Sequence, residues 1–178
     1  MSDEKKVVEL VVSNPEVKQQ KSEIIIVAPH CDDEIIGCYE ILMNKEISPI
    51  IIYTEDTPNE RRQESLKLKT FLSNVKIQLF ARHIPEAFLN QDSIFYFPDP
   101  IHEFHPDHRK VGYRGEELYR RGLDVRFYSV QMNVSWIHEV KNWKDKKRLL
   151  DKVYPSQKGL WSSDLKYVLF EARYKWEK

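Results

Sequence analysis

Residues 24–34 read IIIVAPHCDDE, an apolar run followed at once by one histidine and three carboxylates. Residues 24–28 are continuously apolar and rich in β-branched side chains, which is typical of a strand buried on both faces of a parallel sheet. The polar residues therefore follow the carboxyl end of a strand, where functional groups of open α/β sheets collect. Neighbouring carboxylates repel one another, so we expect a metal ion or a helix N-terminus to offset the repulsion. Acidic residues are also common in the first turn of a helix, which leaves a purely structural role open.

The rest of the chain alternates between strand-like and helix-like segments. Further strands are predicted at residues 50–53, 75–79, 94–97, 125–130 and 132–136, and helices at 35–43, 59–74, 106–121, 142–153 and 165–176. This alternation predicts an α/β fold: a single Rossmann-like domain with a mostly parallel sheet and helices on both faces. We expect the domain to span residues 23–178, after an N-terminal arm at residues 1–22 that is either flexible or an edge strand.

Composition excludes several classes of protein. The 178 residues suffice for one domain, and 41% of them are hydrophobic, as in a globular chain. Equal numbers of basic and acidic residues, 28 of each, argue against nonspecific nucleic-acid binding. Two cysteines rule out a disulfide framework and fit a reducing compartment, so we expect a cytoplasmic protein without a membrane span. The sequence leaves open whether the chain forms a homo-oligomer.

A second cluster, HEFHPDH at residues 102–108, holds three of the six histidines. It follows the strand-and-turn segment IFYFPDP, so it also belongs at a strand end. Two such clusters at two strand ends of one sheet can meet and supply two histidines and a carboxylate, with water completing an open catalytic zinc site. The same donor set also forms the facial triad of mononuclear iron oxygenases, which is the alternative interpretation. We expect a β-barrel-like chain for most of those oxygenases.

Both clusters resemble motifs of a known enzyme family. APHCDDEIIGC, at residues 28–38, resembles the AHPDDE motif of the PIG-L/LmbE-like zinc de-N-acetylases, the N-acetylglucosaminyl deacetylases. EFHPDHRKVG, at residues 103–112, is similar to the HPDH motif of that family. Two weaker matches are an R-x-x-E pattern from Arg61 to Glu64 and the segment VYPSQ at residues 153–157.

The resemblance implies a role for each matched position and a Zn²⁺ cofactor. The zinc ligands would be His30, Asp33 and His108, the general base Asp32, the electrophile or acid His105 with Asp107 tuning it, and the sugar-binding side chain Arg61 or Arg62. The implied reaction is removal of an N-acetyl group from an N-acetylglucosamine-type sugar or glycoconjugate by metal-activated water. A non-catalytic sugar-binding relative is a further alternative, although binding alone requires neither Asp32 nor His105.

The chain departs from the family pattern in two respects. Cys31 stands where family members have proline, which removes a stiff residue from the turn but no ligand. A chain of 178 residues is also short for the family, so loops that shape the substrate pocket are expected to be trimmed. The identity of the acetylated sugar therefore does not carry over. Thr54, Glu55 and Asp56, after the second strand, are further candidates to line the site.

Overall fold

The computed structural model describes residues 22–55, 58–131 and 134–176. The predicted N-terminal arm lies outside these ranges except for Ser22. In chain order the elements are β1 (Glu23–Ala28), α1 (Asp33–Met43), β2 (Ile50–Tyr53), α2 (Asn59–Leu66), α3 (Leu68–Phe71), β3 (Ile77–Phe80), a 3₁₀ turn (Glu86–Phe88), β4 (Ser93–Pro98), α4 (Pro106–Arg120), β5 (Asp124–Ser129), β6 (His138–Glu139), α5 (Trp143–Val153), a 3₁₀ turn (Pro155–Gln157), α6 (Lys158–Ser163), α7 (Lys166–Leu169) and β7 (Phe170–Tyr174).

The strands form one sheet in the order β3-β2-β1-β4-β5-β7-β6. The first five are parallel, while β7 runs antiparallel to both β5 and β6. The predicted α/β fold with a mostly parallel sheet is therefore confirmed. Strand β1 has β2 on one side and β4 on the other, so the strand order changes direction there. Open α/β sheets bind ligands outside the carboxyl ends of the strands at such a switch point.

The sheet is buried on both faces because alternate residues of its central strands enter two different apolar cores. In β1, Ile25 and Val27 face the core that α4 covers, while Ile26 and Ala28 face the core that α1 and α5 cover. Helix α1 approaches the sheet closely at Gly37, where an added Cβ would lie 2.3 Å from the ring of Tyr128. Any larger residue there would push the N-terminus of α1 away from the strand ends.

The predicted last helix is wrong over most of its length. Only Lys166–Leu169 is helical, and the chain then continues as β7, paired with β5. The end of this segment has the spacing of a strand instead. Tyr174 and Trp176 are two residues apart, and both contact the ring of Phe127. The aromatic pair therefore follows the two-residue period of a strand.

Two other predicted boundaries also change. The predicted helix at residues 59–74 is divided at Lys67 into α2 and α3 and ends at Phe71. The strand predicted at 132–136 lies partly outside the described residues, and residues 134–136 are not in a strand. The short strand β6 follows instead at His138–Glu139. Among the described residues, no helix has both the length and the apolar character needed to cross a membrane.

Candidate active site

The structure brings the two motifs together at the switch point of the sheet. Residues 30–34 follow β1 and begin α1, and residues 102–108 follow β4 and begin α4. Because β1 and β4 are paired and parallel, their carboxyl ends lie side by side at one edge of the sheet. His30 and His108, which are 78 positions apart in the chain, thereby come into contact.

Three side chains form a compact triangle of donor atoms. His30 Nδ1 lies 3.3 Å from His108 Nε2 and 3.4 Å from Asp33 Oδ2, and His108 Nε2 lies 3.3 Å from the same oxygen. Donors bound at 2.0–2.1 Å to a tetrahedral ion are about 3.3–3.4 Å apart, so the triangle matches three of the four corners of such a site. The backbone N–H of His30 donates to Asp33 Oδ2 at 2.9 Å and fixes the position of that oxygen.

A second set of three donors is looser. One ring nitrogen each from His30, His105 and His108 lies within 4.8 Å of the other two. The shorter edges to Asp33 make its carboxylate the better third donor. His105 is also half-exposed, whereas Asp33 and His108 are buried.

Glu103 orients His108, a role that sequence patterns did not indicate. Glu103 Oε2 lies 3.0 Å from His108 Nδ1, and the carboxylate itself is buried. Its other oxygen accepts the backbone N–H of Val130 at 2.6 Å. Burial lowers the pKa of His108, but Asp33 and Glu103 outweigh burial and raise it to about 10. The contact at Nδ1 leaves Nε2 directed at the triangle, as outer carboxylates do for metal-bound imidazoles.

Asp107 is closer to His30 than to His105. Its Oδ2 is 3.1 Å from His30 Nε2 and 3.9 Å from His105 Nδ1. The family resemblance implies that Asp107 tunes His105. The pKa of His105 is instead lowered, because burial and the charges of His108 and His30 outweigh the effect of Asp107. His105 caps α4 by accepting the backbone N–H of Asp107 at its Nδ1, 3.2 Å away. An Nδ1 that accepts a hydrogen bond carries no proton, so a neutral ring has its proton on Nε2.

Asp32 adopts an unusual backbone conformation beside the triangle. Its φ is 115°, and among the described residues it is the non-glycine residue with a positive φ. The backbone N–H of Asp32 donates to Glu34 Oε2 at 3.0 Å, and the hydroxyl of Tyr154 donates to Glu34 Oε1 at 2.5 Å. Both carboxylates are buried. Burial raises the pKa of Glu34 to about 7.

The adjacent carboxylates Asp32 and Asp33 have opposite electrostatic environments. Burial and the charge of Asp33 raise the pKa of Asp32 well above its usual range, and Arg61 only partly offsets this. Burial would also raise the pKa of Asp33, but the charges and hydrogen bonds of His108 and His30 lower it overall. The surroundings therefore favour the charged form of Asp33 and the protonated form of Asp32.

The structure distinguishes Arg61 from Arg62. Arg61 Nη2 donates to Asp32 Oδ2 at 2.8 Å and to the carbonyl of Cys31 at 2.9 Å, so Arg61 belongs to the site. The guanidinium of Arg62 lies 4.5 Å from the centre of the Phe80 ring and does not line the site cavity. One step along a helix turns a side chain by about 100°, which explains why only one of the two reaches the site. Of the two arginines that the resemblance left open, the structure thus places Arg61 at the site and Arg62 outside its cavity.

The two weaker sequence matches meet each other. Glu64, the last residue of the R-x-x-E pattern, accepts both the backbone N–H and the hydroxyl of Ser156, at 3.0 and 2.6 Å. This contact holds the VYPSQ segment against α2. A cavity of about 260 Å³ opens at the site. It is lined by His30, Asp32, Asp33, Ile36, Arg61, His105, His108, Val130, Gln131, Gln157, Leu160 and Tyr167.

Another group of potential metal ligands lies elsewhere, formed by Glu40, His138 and Glu171. Arg173 already lies 2.8 Å from Glu40 and 3.3 Å from Glu171. Lys146 lies 3.5 Å from Glu171. The two cationic side chains offset the carboxylates, so this cluster needs no metal ion.

The comparisons with known proteins bear on the fold. No protein-family model matches the sequence, and none of the curated proteins matches it significantly. Among solved structures, the conserved protein TT1542 from Thermus thermophilus aligns over 86% of this chain and 94% of its own, with a TM-score of 0.60 and 16% identity. The N,N'-diacetylchitobiose deacetylase from Pyrococcus horikoshii, solved with its inhibitor MPG, aligns over 83% of this chain and 75% of its own, with a TM-score of 0.56 and 17% identity. The chain therefore shares its fold with a deacetylase of known structure.

Proposed function

We propose that the chain is a zinc-dependent amide hydrolase that removes an N-acetyl group from an N-acetylglucosamine-type sugar or glycoconjugate, with residues 23–178 as its catalytic domain. The observation that carries the proposal is the triangle of His30, Asp33 and His108 with the Asp32 carboxylate next to it. The likeness to an N,N'-diacetylchitobiose deacetylase supports the reaction type.

Zinc fits this donor set well. Two imidazole nitrogens and one carboxylate oxygen, with edges of 3.3–3.4 Å, suit a tetrahedral ion that keeps its fourth position open. When bound, such an ion acidifies water from a pKa of about 15.7 to about 7 and polarises a carbonyl group. Glu103 and Asp107 hold the outer nitrogens of His108 and His30 and so orient both rings.

Asp32 is the proposed general base. A base works best when its pKa is near the operating pH, and burial beside Asp33 moves the pKa of Asp32 in that direction. Arg61 engages Oδ2 of Asp32, so we assign Oδ1 to the transfer of the proton from the attacking water. The same oxygen then returns the proton to the departing amine as the carbon–nitrogen bond breaks.

His105 is the proposed donor to the acetyl oxygen. With its Nδ1 accepting the amide of Asp107, the neutral ring offers a proton at Nε2. The lowered pKa favours this neutral form, and we therefore assign the donor as a neutral imidazole. Such a donor stabilises the negative charge that develops on the carbonyl oxygen.

The iron oxygenase is the alternative use of the same three ligands. The mostly parallel sheet favours the deacetylase, because we expect a β-barrel-like chain for most of those oxygenases. A non-catalytic sugar-binding protein would not require the raised pKa of Asp32 or a hydrogen-bond donor at His105.

The test combines metal analysis with measurement of released acetate. Purified protein should contain about one zinc ion per chain and hydrolyse N,N'-diacetylchitobiose or N-acetylglucosamine. His30→Ala, Asp33→Ala and His108→Ala should each lose the metal, while His138→Ala, a histidine outside the site, should keep it. Asp32→Asn should keep zinc and lose roughly 10²-fold in turnover. Retention of zinc in all three ligand variants would overturn the proposal, as would iron in place of zinc together with no acetate release.

A further inference from the structure

A cationic pocket of about 270 Å³ lies at the same edge of the sheet as the candidate active site. It is lined by Thr54, Glu55, Arg82, His83, Lys110 and Arg114. Thr54 and Glu55 follow β2, Arg82 and His83 follow β3, and the last two belong to α4. Arg82, Lys110 and Arg114 bring three positive charges to the pocket, and Glu55 brings one negative charge. A concave surface with a net positive charge attracts and concentrates anionic ligands.

The pocket adjoins the proposed catalytic residues through the backbone. The N–H groups of Thr54 and Glu55 donate to the carbonyls of Ala28 and Pro29 at 3.0 and 3.1 Å. Those carbonyls belong to the two residues that precede His30. The pocket therefore lies at the carboxyl end of β2, directly beside the carboxyl end of β1, from which the triangle begins.

Helix α4 also connects the two places. Asp107, Lys110 and Arg114 are spaced i, i+3 and i+7, so they share one face of the helix. Asp107 contacts His30 at one end of this face. With a rise of 1.5 Å per residue, Lys110 and Arg114 lie about 4.5 and about 10.5 Å farther along the helix axis. This face of α4 therefore runs from the residue that contacts His30 to the two cations of the pocket.

One carboxylate holds two of the cations in place. Glu55, which is mostly buried, lies 2.7 Å from Lys110 Nζ and 3.2 Å from Arg114 Nη1. Arg114 also donates to the carbonyl of Arg82 at 3.2 Å. An ammonium has three N–H donors and a guanidinium has five, so Lys110 and Arg114 keep further N–H groups that can bind a ligand. The hydroxyl of Thr54 is buried and has no hydrogen-bond partner within the described part of the chain.

We propose that this pocket binds an oxyanion carried by the substrate, a phosphate or a carboxylate, and so makes the enzyme prefer anionic N-acetylhexosamine derivatives to the neutral sugar. The proposal rests on the proposed deacetylase function. Lys110 supplies a point charge and Arg114 a planar fork, the two kinds of donor that bind such groups. Glu55 is a positioning residue that aligns both.

The first experiment compares kcat/KM for N-acetylglucosamine with kcat/KM for its 1-phosphate, its 6-phosphate and N-acetylmuramic acid, on zinc-loaded protein. In the wild type, kcat/KM for at least one anionic sugar should exceed kcat/KM for the neutral sugar. The anionic sugar with the highest value identifies the preferred group as phosphate or carboxylate.

The pocket variants Lys110→Gln and Arg114→Gln should each lower this ratio of kcat/KM values by about tenfold, the scale of one lost charge-assisted hydrogen bond. Arg120→Gln removes a charge from the same helix away from the pocket and should leave the ratio unchanged. Equal ratios in the wild type and both pocket variants would overturn the subsite.

The second experiment does not depend on turnover. Inorganic phosphate is titrated into zinc-loaded protein by calorimetry, and the double variant Lys110→Gln/Arg114→Gln should bind it at least about tenfold more weakly than Arg120→Gln does. If the double variant loses phosphate binding but the wild type deacetylates no sugar, the anion site is supported and the proposed function is contradicted. If phosphate binding is unchanged in the double variant and deacetylation does not depend on substrate charge, the anion site is contradicted and the proposed function is supported.

Discussion

The backbone N–H of Asp32 donates to Glu34 Oε2 at 3.0 Å, and this bond closes the turn in which Asp32 has its φ of 115°. A non-glycine residue in such a conformation costs on the order of 1–3 kcal/mol, which the surrounding structure must offset. Tyr154, 120 positions later, holds the other oxygen of the same carboxylate. The proposed base is thus positioned by a side chain from the far end of the chain.

Tyr154→Phe should lower kcat while zinc content and KM stay close to the wild-type values. Without the hydroxyl, Glu34 loses the contact at its Oε1, and the Asp32 carboxylate is held less firmly. Small displacements of a catalytic group are costly, so we expect a loss of roughly tenfold in kcat. Tyr53→Phe is the matched control, because the Tyr53 hydroxyl contacts Tyr154 at 3.4 Å but makes no hydrogen bond to Glu34. Equal kcat values in the two variants would mean that Tyr154 does not position the base.

Glu103→Gln should weaken zinc binding without removing a ligand. The amide cannot reproduce the negative charge next to His108 Nδ1, and loss of such an outer partner typically costs about 10–100-fold in metal affinity. Competition with a chelator measures the change. Glu116→Gln, a change in α4 at a residue paired with Arg120, controls for the lost charge. Metal affinity that is the same in both variants would contradict the assigned role.

His105→Gln should retain more activity than His105→Ala, with zinc bound in both. Loss of a donor to a developing oxyanion costs about 10²–10³-fold in kcat, and a glutamine amide replaces part of that donation. Rescue by glutamine distinguishes a hydrogen-bond donor from a proton donor, since an amide does not release a proton. An inactive His105→Gln enzyme with full zinc would show that His105 must ionise.

Lys146→Met should destabilise the fold far from the active site. Lys146 is fully buried between α1 and β7, where it donates to the carbonyls of Ile36 and Phe170 at 2.7 and 3.0 Å. Its removal takes a buried donor away from both carbonyls and leaves Glu171 with Arg173 as its remaining close cation among the described residues. Breaking a buried pair costs about 3–5 kcal/mol, and Arg173 keeps the loss near the lower end. Denaturant unfolding measures it.

The same position gives a pH signature. Burial lowers the pKa of Lys146 from 10.5 to about 8, with Glu171 opposing the shift. Between these two values the unfolded chain holds a proton that the folded chain has released, so stability rises with pH. Wild-type stability should therefore increase relative to Lys146→Met by up to about 1.4 kcal/mol per pH unit above about pH 8. Parallel curves for the two proteins would mean that Lys146 keeps its proton throughout.

The central part of the sheet and its two motifs were predictable from local sequence. Residues 24–28 and 94–97 are apolar enough to be buried strands, and parallel strand ends meet at one edge, so the histidines that follow them were expected to converge. Local sequence predicted only that two histidines and a carboxylate would meet there, and it was the resemblance to the family motifs that implied His30, Asp33 and His108 in particular. The mostly parallel order of the central strands likewise follows from strand–helix alternation.

What the sequence missed depends on contacts between distant segments. The apolar residues after Leu165 suit either a helix or a strand, and pairing with the open edge of β5 decides in favour of β7. The choice between Arg61 and Arg62 depends on the rotation of α2, which doubled arginines do not reveal. Glu103 stands inside a quoted motif, but its contact with His108 arises only from the turn that begins α4.

The separation of the proposed ligands along the chain has a consequence for folding. His30 and Asp33 come from one turn, whereas His108 comes from the start of α4, 78 positions beyond His30. An ion held by all three would close a loop of that length, much as a disulfide does, and closure of a long loop removes entropy from the unfolded chain. It would also bind the folded chain in preference to the unfolded one, so apparent stability would rise with free zinc concentration. Removal of the ion by a chelator would then do more than abolish turnover. It would loosen the contact between the end of β1 and the start of α4, and unfolding would begin more readily at the carboxyl ends of these central strands.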